Sequence, residues 1–401
     1  MRVKVSNRII FTLNREIVSV LALLLIVISG SAPWFIWGYV SPIYVGLMGL
    51  AVFLLLNIQP LMKGISVNTF LTVSLFALYF VLFQFLMWGE FHFSDIYLII
   101  TLFIVTMISD KYKHKTFVLY TKMMGAMVLV SLIAWLIHKY LVEIPTIGIL
   151  DISSFKGTGQ GSTLMHNHFF FVTYFDRVDR FYGVFDEPGV LGTIGAILLY
   201  ANKYDFKRWY NVALLLGGIF TFSLAFYLLV LIGLAIHFSK DIKKTVIGIF
   251  VFLIGFAIVY VVLYDNPSFQ QHIIARLDGI GSVTELINDR DNAYVVNNFE
   301  NLFKQPVNLL FGYGNNPSMG AGTSTSYMRW ILRYGFVGFI SMCIIFGLLI
   351  KPNNKDKVGL CILLLLSFLQ RPSVLHSAFV ILVVLCAQEF QGCTNRITSR
   401  K

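Results

Sequence analysis

Charge is scarce in this sequence. Only 13% of its 401 residues are Asp, Glu, Lys or Arg, against 57% hydrophobic residues. A soluble chain of this length buries a core with far less apolar content, so a soluble globular class is excluded. Cysteine is scarce as well. Cys343, Cys361 and Cys386 lie in apolar runs and Cys393 in the tail, at spacings that fit neither a disulfide framework nor a metal site. The strict apolar–polar alternation of barrel strands is missing, which excludes a membrane β-barrel. Internal repeats, low-complexity segments and Pro-rich linkers are missing too, which leaves one membrane-embedded domain over residues 1–401. No small-residue cleavage site ends the first apolar run convincingly, so that run reads as a retained span.

What the chain does have is apolar runs long enough to cross a bilayer, recurring along its whole length. The reading is an all-α, polytopic membrane protein of about 12 transmembrane helices. The spans fall at about 17–37, 41–57, 68–88, 94–109, 117–137, 189–201, 209–222, 223–238, 245–264, 326–350, 358–370 and 373–390. The net charge of +11 suggests nucleic acid at first sight. The basic residues sit in short loops between spans, however, so they report topology and not a nucleic-acid partner.

Twenty of the 31 Lys and Arg residues lie at the N-terminus, near 63, 111–115, 203–208, 240–244 and 351–357, and in the tail. These mark the cytoplasmic side, with both termini on it. The two long loops, about 138–188 and 265–325, hold only seven and are expected to face outward. The location implied is a cell membrane, crossed many times. One conflict follows. Residues 209–238 look like one span, yet Lys207–Arg208 and Lys240–Lys244 both read as cytoplasmic. Either the chain enters and returns, turning near Thr221 and Ser223, or one kinked span breaks the charge rule once. Two legs of 15 residues reach about 22 Å each, short of the ~30 Å hydrocarbon core.

Chemistry-bearing residues concentrate at the loops. The first loop holds Asp151, Lys156, a Gly/Ser stretch at 157–162, His166, His168, Asp176, Arg177 and Asp179. The Gly/Ser stretch follows no strand and lacks a phosphate-loop lysine, so it reads as a plain loop. Two histidines without further ligands read as polar surface. The string RFYGVFDEPGVLG (180–192) then runs straight into a span. Ionisable groups at the mouth of a span are costly and usually functional. Arg180 has the forked donors that suit phosphate oxygens. Glu187 precedes Pro188, which favours an extended Glu187 and a helix starting at the proline. Two readings of Glu187 and Asp186 stay open: a helix cap with Arg180 as surface ion-pair partner, or a reactive carboxylate. The second loop holds Arg290 and a turn-rich stretch, FGYGNNPSMGAGTSTSYMRWILRYGFVG (311–338). Tyr327 and Trp330 suit an interfacial belt, and Arg329 and Arg333 suit its anchoring.

Together these residues resemble a family. Arg-x-x-Gly-x-Phe-x-Glu-Pro at 180–188 resembles the signature of O-antigen and exopolysaccharide polymerases of the Wzy type. Gly312-Tyr313-Gly314, then Ser326-Tyr327, then Tyr334-Gly335-x-x-Gly338 is similar to their later motif. Arg290, 22 residues before the Gly-Tyr-Gly, matches their loop arginine, and Thr221-x-Ser223 fits their turn, with Leu224 where many relatives carry Arg. The resemblance implies a membrane glycosyltransferase of the C-type fold that needs neither nucleotide sugar nor metal, and no cofactor. Its donor and acceptor are glycans linked to undecaprenyl diphosphate, within membrane lipid, with a chain-length regulator (co-polymerase) as a candidate protein partner. Arg180 and Arg290 are then expected to hold the diphosphate. Glu187 is expected to be the general base, its pKa raised by Asp186 and by lipid, with Asp186 in reserve. Tyr182, Gly183, Pro188, Gly312, Tyr313, Gly314 and Tyr327 are expected to shape the loops or stack on sugars.

Two alternatives compete with this reading. The related O-antigen ligases carry a His in the second loop shortly before the last long span, where this chain reads GTSTSYMRW. A flippase or transporter would place ionisable groups mid-span and show repeat symmetry.

Overall fold

A computed structural model describes residues 15–31, 33–63, 67–80, 93–153, 164–174, 179–239, 264–275, 293–314, 327–370 and 377–390, with scattered positions between 241 and 261. The chain is mostly helical. Helices α1 (Arg15–Ser31), α2 (Trp34–Trp37), α3 (Pro42–Lys63), α4 (Val67–Phe80), α5 (Phe93–Met107) and α6 (Asp110–Tyr140) come first. A small antiparallel sheet follows: β1 (Gly148–Asp151), β2 (Leu164–Asn167) and β3 (Val172–Tyr174), in that spatial order. Then come α7 (Pro188–Ala201), α8 (Trp209–Phe220) and α9 (Leu224–Phe238). The second loop carries α10 (Ala293–Leu302) and α11 (Pro306–Phe311), and the chain closes with α12 (Tyr327–Ile350), α13 (Lys355–Gln370) and α14 (Ser377–Glu389).

Helices lie within eleven of the twelve expected spans, and the described residues of 246–261 are helical as well. By length and composition, α6 and α12 are able to cross a membrane; Pro42–Asn57, α7, α8 and α9 are apolar but shorter. The sheet is an addition to the all-helical expectation. Its strands are three or four residues long, and its hairpin register pairs Asn167 with Val172.

Side-chain pairing gathers the basic segments at one end of the bundle. Glu16 on α1 receives Lys111 at 2.8 Å and also Lys115, both from the start of α6. The Lys111 ammonium holds the Glu16 carboxyl below its usual range, with Lys115 adding to the effect. His114 meets Glu389 at 2.7 Å, Lys355 donates to the His237 carbonyl at 2.6 Å, and Tyr200 donates to the Asp356 carbonyl at 2.9 Å. Beside this end, α1 and α3 run antiparallel, tied where Asn57 donates to Ser19 at 2.8 Å.

The stretch 209–238 is two helices and not one. Along α7, Gly192 lies against Ser223 and Phe226, and farther on Tyr200 and Tyr204 lie against Gly233. Helix α9 therefore runs parallel to α7. Gly195 faces Leu214, and Asn211 donates to the Asp205 carbonyl at 2.9 Å, so α8 runs the opposite way. The chain therefore turns back on itself between α8 and α9, the first of the two readings of this stretch. The legs, of 12 and 15 residues, span only about 18 and 22 Å, less than the ~30 Å of a hydrocarbon core.

Candidate functional site

The site starts from the turn between α8 and α9. A helix that stops leaves its last carbonyls without intrahelical donors, and here they sit among apolar helices. Each acquires a donor. Thr221 N–H reaches the Gly217 and Gly218 carbonyls at 3.2 Å, and Thr221 Oγ1 adds a second bond to Gly218 at 2.6 Å. Tyr227, one turn into α9, donates its hydroxyl to the Ile219 carbonyl at 2.6 Å and so clamps the two legs. Phe181 N–H reaches the Phe220 carbonyl at 3.1 Å. Arg180 donates from Nε to the Thr221 carbonyl at 3.0 Å and from Nη2 to the Phe222 carbonyl at 3.2 Å. A guanidinium is thereby fixed at the negative end of α8, where a cation is favoured. Phe222 sits at φ +47°, a left-handed turn position held by these bonds.

From Arg180 the string wraps over the mouth of α7. Gly183 takes φ +59°, its carbonyl accepts from Val172 N–H of β3 at 2.9 Å, and the Val184 carbonyl accepts from Trp34 N–H at 2.8 Å. Tyr182 is buried, its ring set edge-on to Tyr174 at 5.5 Å. The ring thus lies inside the protein and not at its surface. Asp186 is buried and Glu187 half-buried. Pro188 occupies the first turn of α7, and Glu187 is extended at φ −139° and ψ 137°. The Glu187 side chain makes no capping bond to the amides of α7. The proline removes one amide from that turn, and the carboxylate is not spent on the others.

The second motif is built on different elements. Helix α12 is broken at Gly335, which takes φ +65° and ψ −175°. The carbonyls released by the break accept from the crossing chain: Tyr313 N–H bonds Leu332 at 2.6 Å and Gly314 N–H bonds Arg333 at 3.0 Å. Gly312 ends α11 at φ +76°. A Cβ on Gly312 would run into the Arg333 carbonyl, and one on Gly335 into the Leu310 carbonyl. Tyr313 donates its hydroxyl to Gln305 at 3.1 Å, and Tyr327 sets its ring edge-on to Phe299 at 5.9 Å. Arg290, Ser326 and the Gly/Ser stretch at 157–162 lie outside the described residues.

Two features were not read from the sequence. Lys139, at the end of α6, pairs with Asp179 at 3.1 Å and fastens the chain one residue before Arg180. The loop histidines are also more than polar surface. His168 is buried, stacks on Phe171 and lies 4.6 Å from the His138 ring. Its Nδ1 bonds the Ile144 carbonyl at 2.9 Å, while Ile144 N–H donates to His138 Nδ1 at 2.9 Å. Burial pushes the His168 imidazole below its usual pKa, with the neighbouring His138 and His166 acting in the same direction. Among the described residues no three His, Cys, Asp or Glu side chains gather as a metal site. No protein-family model, curated protein or solved structure matches this chain.

Proposed function

We propose that this chain is a multi-pass membrane glycosyltransferase of about twelve spans, one that polymerises glycan repeat units carried on undecaprenyl diphosphate. Its loops face away from the cytoplasm, and both termini lie inside. One observation carries the reading. A guanidinium fixed at the α8–α9 turn lies on the same string as a buried and a half-buried carboxylate, and that string leads into a short apolar helix whose Gly192 packs on Ser223 beside the turn.

The chemistry this suits is displacement at an anomeric carbon. The acceptor hydroxyl oxygen forms a bond to C1 of the donor sugar, and the bond from C1 to the diphosphate oxygen breaks. The diphosphate leaves on its polyprenyl carrier. Glu187 takes the hydroxyl proton, and Asp186 is the reserve for that role. Arg180 stabilises the charge that develops on the diphosphate, together with Arg290, through charge-assisted hydrogen bonds. The shortness of α8 and α9 leaves room between turn and bilayer surface for a headgroup-sized substrate.

The test is reconstitution of the purified full-length protein with lipid-linked repeat units. A ladder of products, each longer by one unit and still on the carrier, is expected. Transfer to a lipid A–core acceptor without a ladder would point to a ligase instead. No covalent product at all, with the protein folded, would remove the enzyme reading.

A further inference from the structure

The turn between β2 and β3 is His168-Phe169-Phe170-Phe171. Phe171 is buried, but Phe169 and Phe170 point outward, with 56% and 45% of their surface exposed. Their rings meet edge to face at 5.0 Å. Phe169 takes φ +70°, a left-handed conformation that a bulky side chain adopts only when the surroundings enforce it. An aqueous turn would put Gly or Asn there. This one instead displays two phenyl rings.

The turn is also deep. His168 lies beside His138 near the end of α6. Two helical turns down the same helix, Ser131 donates to the Phe170 carbonyl at 2.6 Å. Seven residues at 1.5 Å each set the tip about 10 Å below His138. Helix α6 is one of the two able to cross a membrane, and around Ser131 its Val130 and Ile133 side chains are exposed and apolar.

Three of the four amides of the tip bond to neighbouring protein groups. His168 N–H bonds the Phe171 carbonyl at 3.0 Å, and Phe170 N–H the His168 carbonyl at 2.9 Å. Phe169 N–H bonds Asn167 Oδ1 at 2.8 Å. Water would satisfy these groups without help, whereas hydrocarbon cannot, and non-helical backbone at such depth survives only when protein supplies the partners.

We propose that the β2–β3 tip is inserted into the leaflet on the loop side of the bundle, where Phe169 and Phe170 contact lipid acyl chains. The inference rests on the reading of α6 as a membrane span. It makes the hairpin a wedge that holds the first loop, and Arg180 with it, against the bilayer.

Depth-dependent quenching tests this. In full-length protein lacking its native cysteines, Phe169→Cys, Phe170→Cys and the reference Ile133→Cys are each labelled with bimane and reconstituted into phosphatidylcholine vesicles. Lipids brominated in mid-chain are expected to quench the label at 169 or 170 as strongly as that at Ile133, with little quenching by aqueous iodide. Either label suffices if the other variant misfolds. If the Ile133 label is quenched by bromines while the tip labels respond to iodide, the tip is in water and the proposal falls. If the tip labels respond to neither quencher, protein covers the tip, a second copy included, and the proposal falls again. An Ile133 label that escapes the bromines would remove the membrane reading of α6 and the proposal with it.

Discussion

At the scale of single residues, the geometry separates roles that the sequence left open. Glu187 sits at the cap position of α7 without capping it through its side chain. Losing a true side-chain cap costs about 0.5–2 kcal/mol of stability, and Glu187→Gln is therefore expected to leave the thermal midpoint of purified protein nearly unchanged. If Glu187 is the base, the same variant cuts polymerisation by about 10²–10⁴-fold. Near-normal rates in the variant would transfer attention to Asp186→Asn. Arg180 is a harder case, because its fork is bonded to the Thr221 and Phe222 carbonyls. Arg180→Lys keeps the charge but loses the paired donors, so both activity and the integrity of the α8–α9 turn are expected to suffer. Activity lost with an unchanged thermal midpoint would single out the diphosphate role. His168 gives a pH signature. Its folded-state pKa is depressed, so the unfolded loop takes up the proton first as pH falls below the usual imidazole value. Stability from this group is present above about pH 6.5 and is lost on acidification. Protection factors over residues 141–147, corrected for the intrinsic slowing of amide exchange with falling pH, are expected to be lower at acidic pH than at neutral pH; unchanged protection would show that His168 does not hold that strap.

At the scale of elements, most helices were legible because apolar length alone announces them. The α8–α9 hairpin was legible as one of two readings, since Lys207 and Lys240 lie on either side of too little chain for two full crossings. Non-local pairing was not legible. The β1–β3 sheet has strands of three or four residues whose pairing crosses a long connection, and HNHFFF carries no alternation to betray it. Nothing local marks Tyr227 as the clamp on Ile219, or Thr221 and Phe222 as the partners of Arg180. The glycines at 312 and 314 announced a turn-rich surface loop and Gly335 lay inside an expected span, whereas the structure lays the 312–314 backbone against a break in the long helix at Gly335. Gly335→Ala and Gly312→Ala would each meet a carbonyl and need a positive φ as well, a loss of about 1–3 kcal/mol or more. Gly347 in the same helix faces open space, so Gly347→Ala is expected to be neutral or to stabilise by up to about 1 kcal/mol. Thermal unfolding in detergent distinguishes them; equal midpoints for Gly335→Ala and Gly347→Ala would refute the tight crossing.

At the scale of the whole molecule, the two ends of the bundle differ in kind. One end collects Glu16, Lys111, Lys115, His114, Asp356 and Glu389 in ion pairs and hydrogen bonds on regular helix termini. The other is irregular. It holds the α8–α9 turn, the crossing at Gly335 and the β2–β3 tip, each with its backbone groups bonded to protein. A chemistry that must meet lipid headgroups needs such irregularity on one side only, since substrate carried on a polyprenyl chain reaches the protein at a single face. Under the proposed function, the charge asymmetry assigns that face to the side away from the lysines. Single cysteines in place of Ser162 and Ser318, both outside the described residues, test it against Lys207→Cys at the basic end. In intact or outer-permeabilised cells an impermeant thiol reagent is expected to label the first two and spare the third. Lys207→Cys is expected to react only once the inner membrane is broken. Labelling of Lys207→Cys in intact cells, or protection of either loop position, would invert or break the proposed topology and take the proposed active face with it.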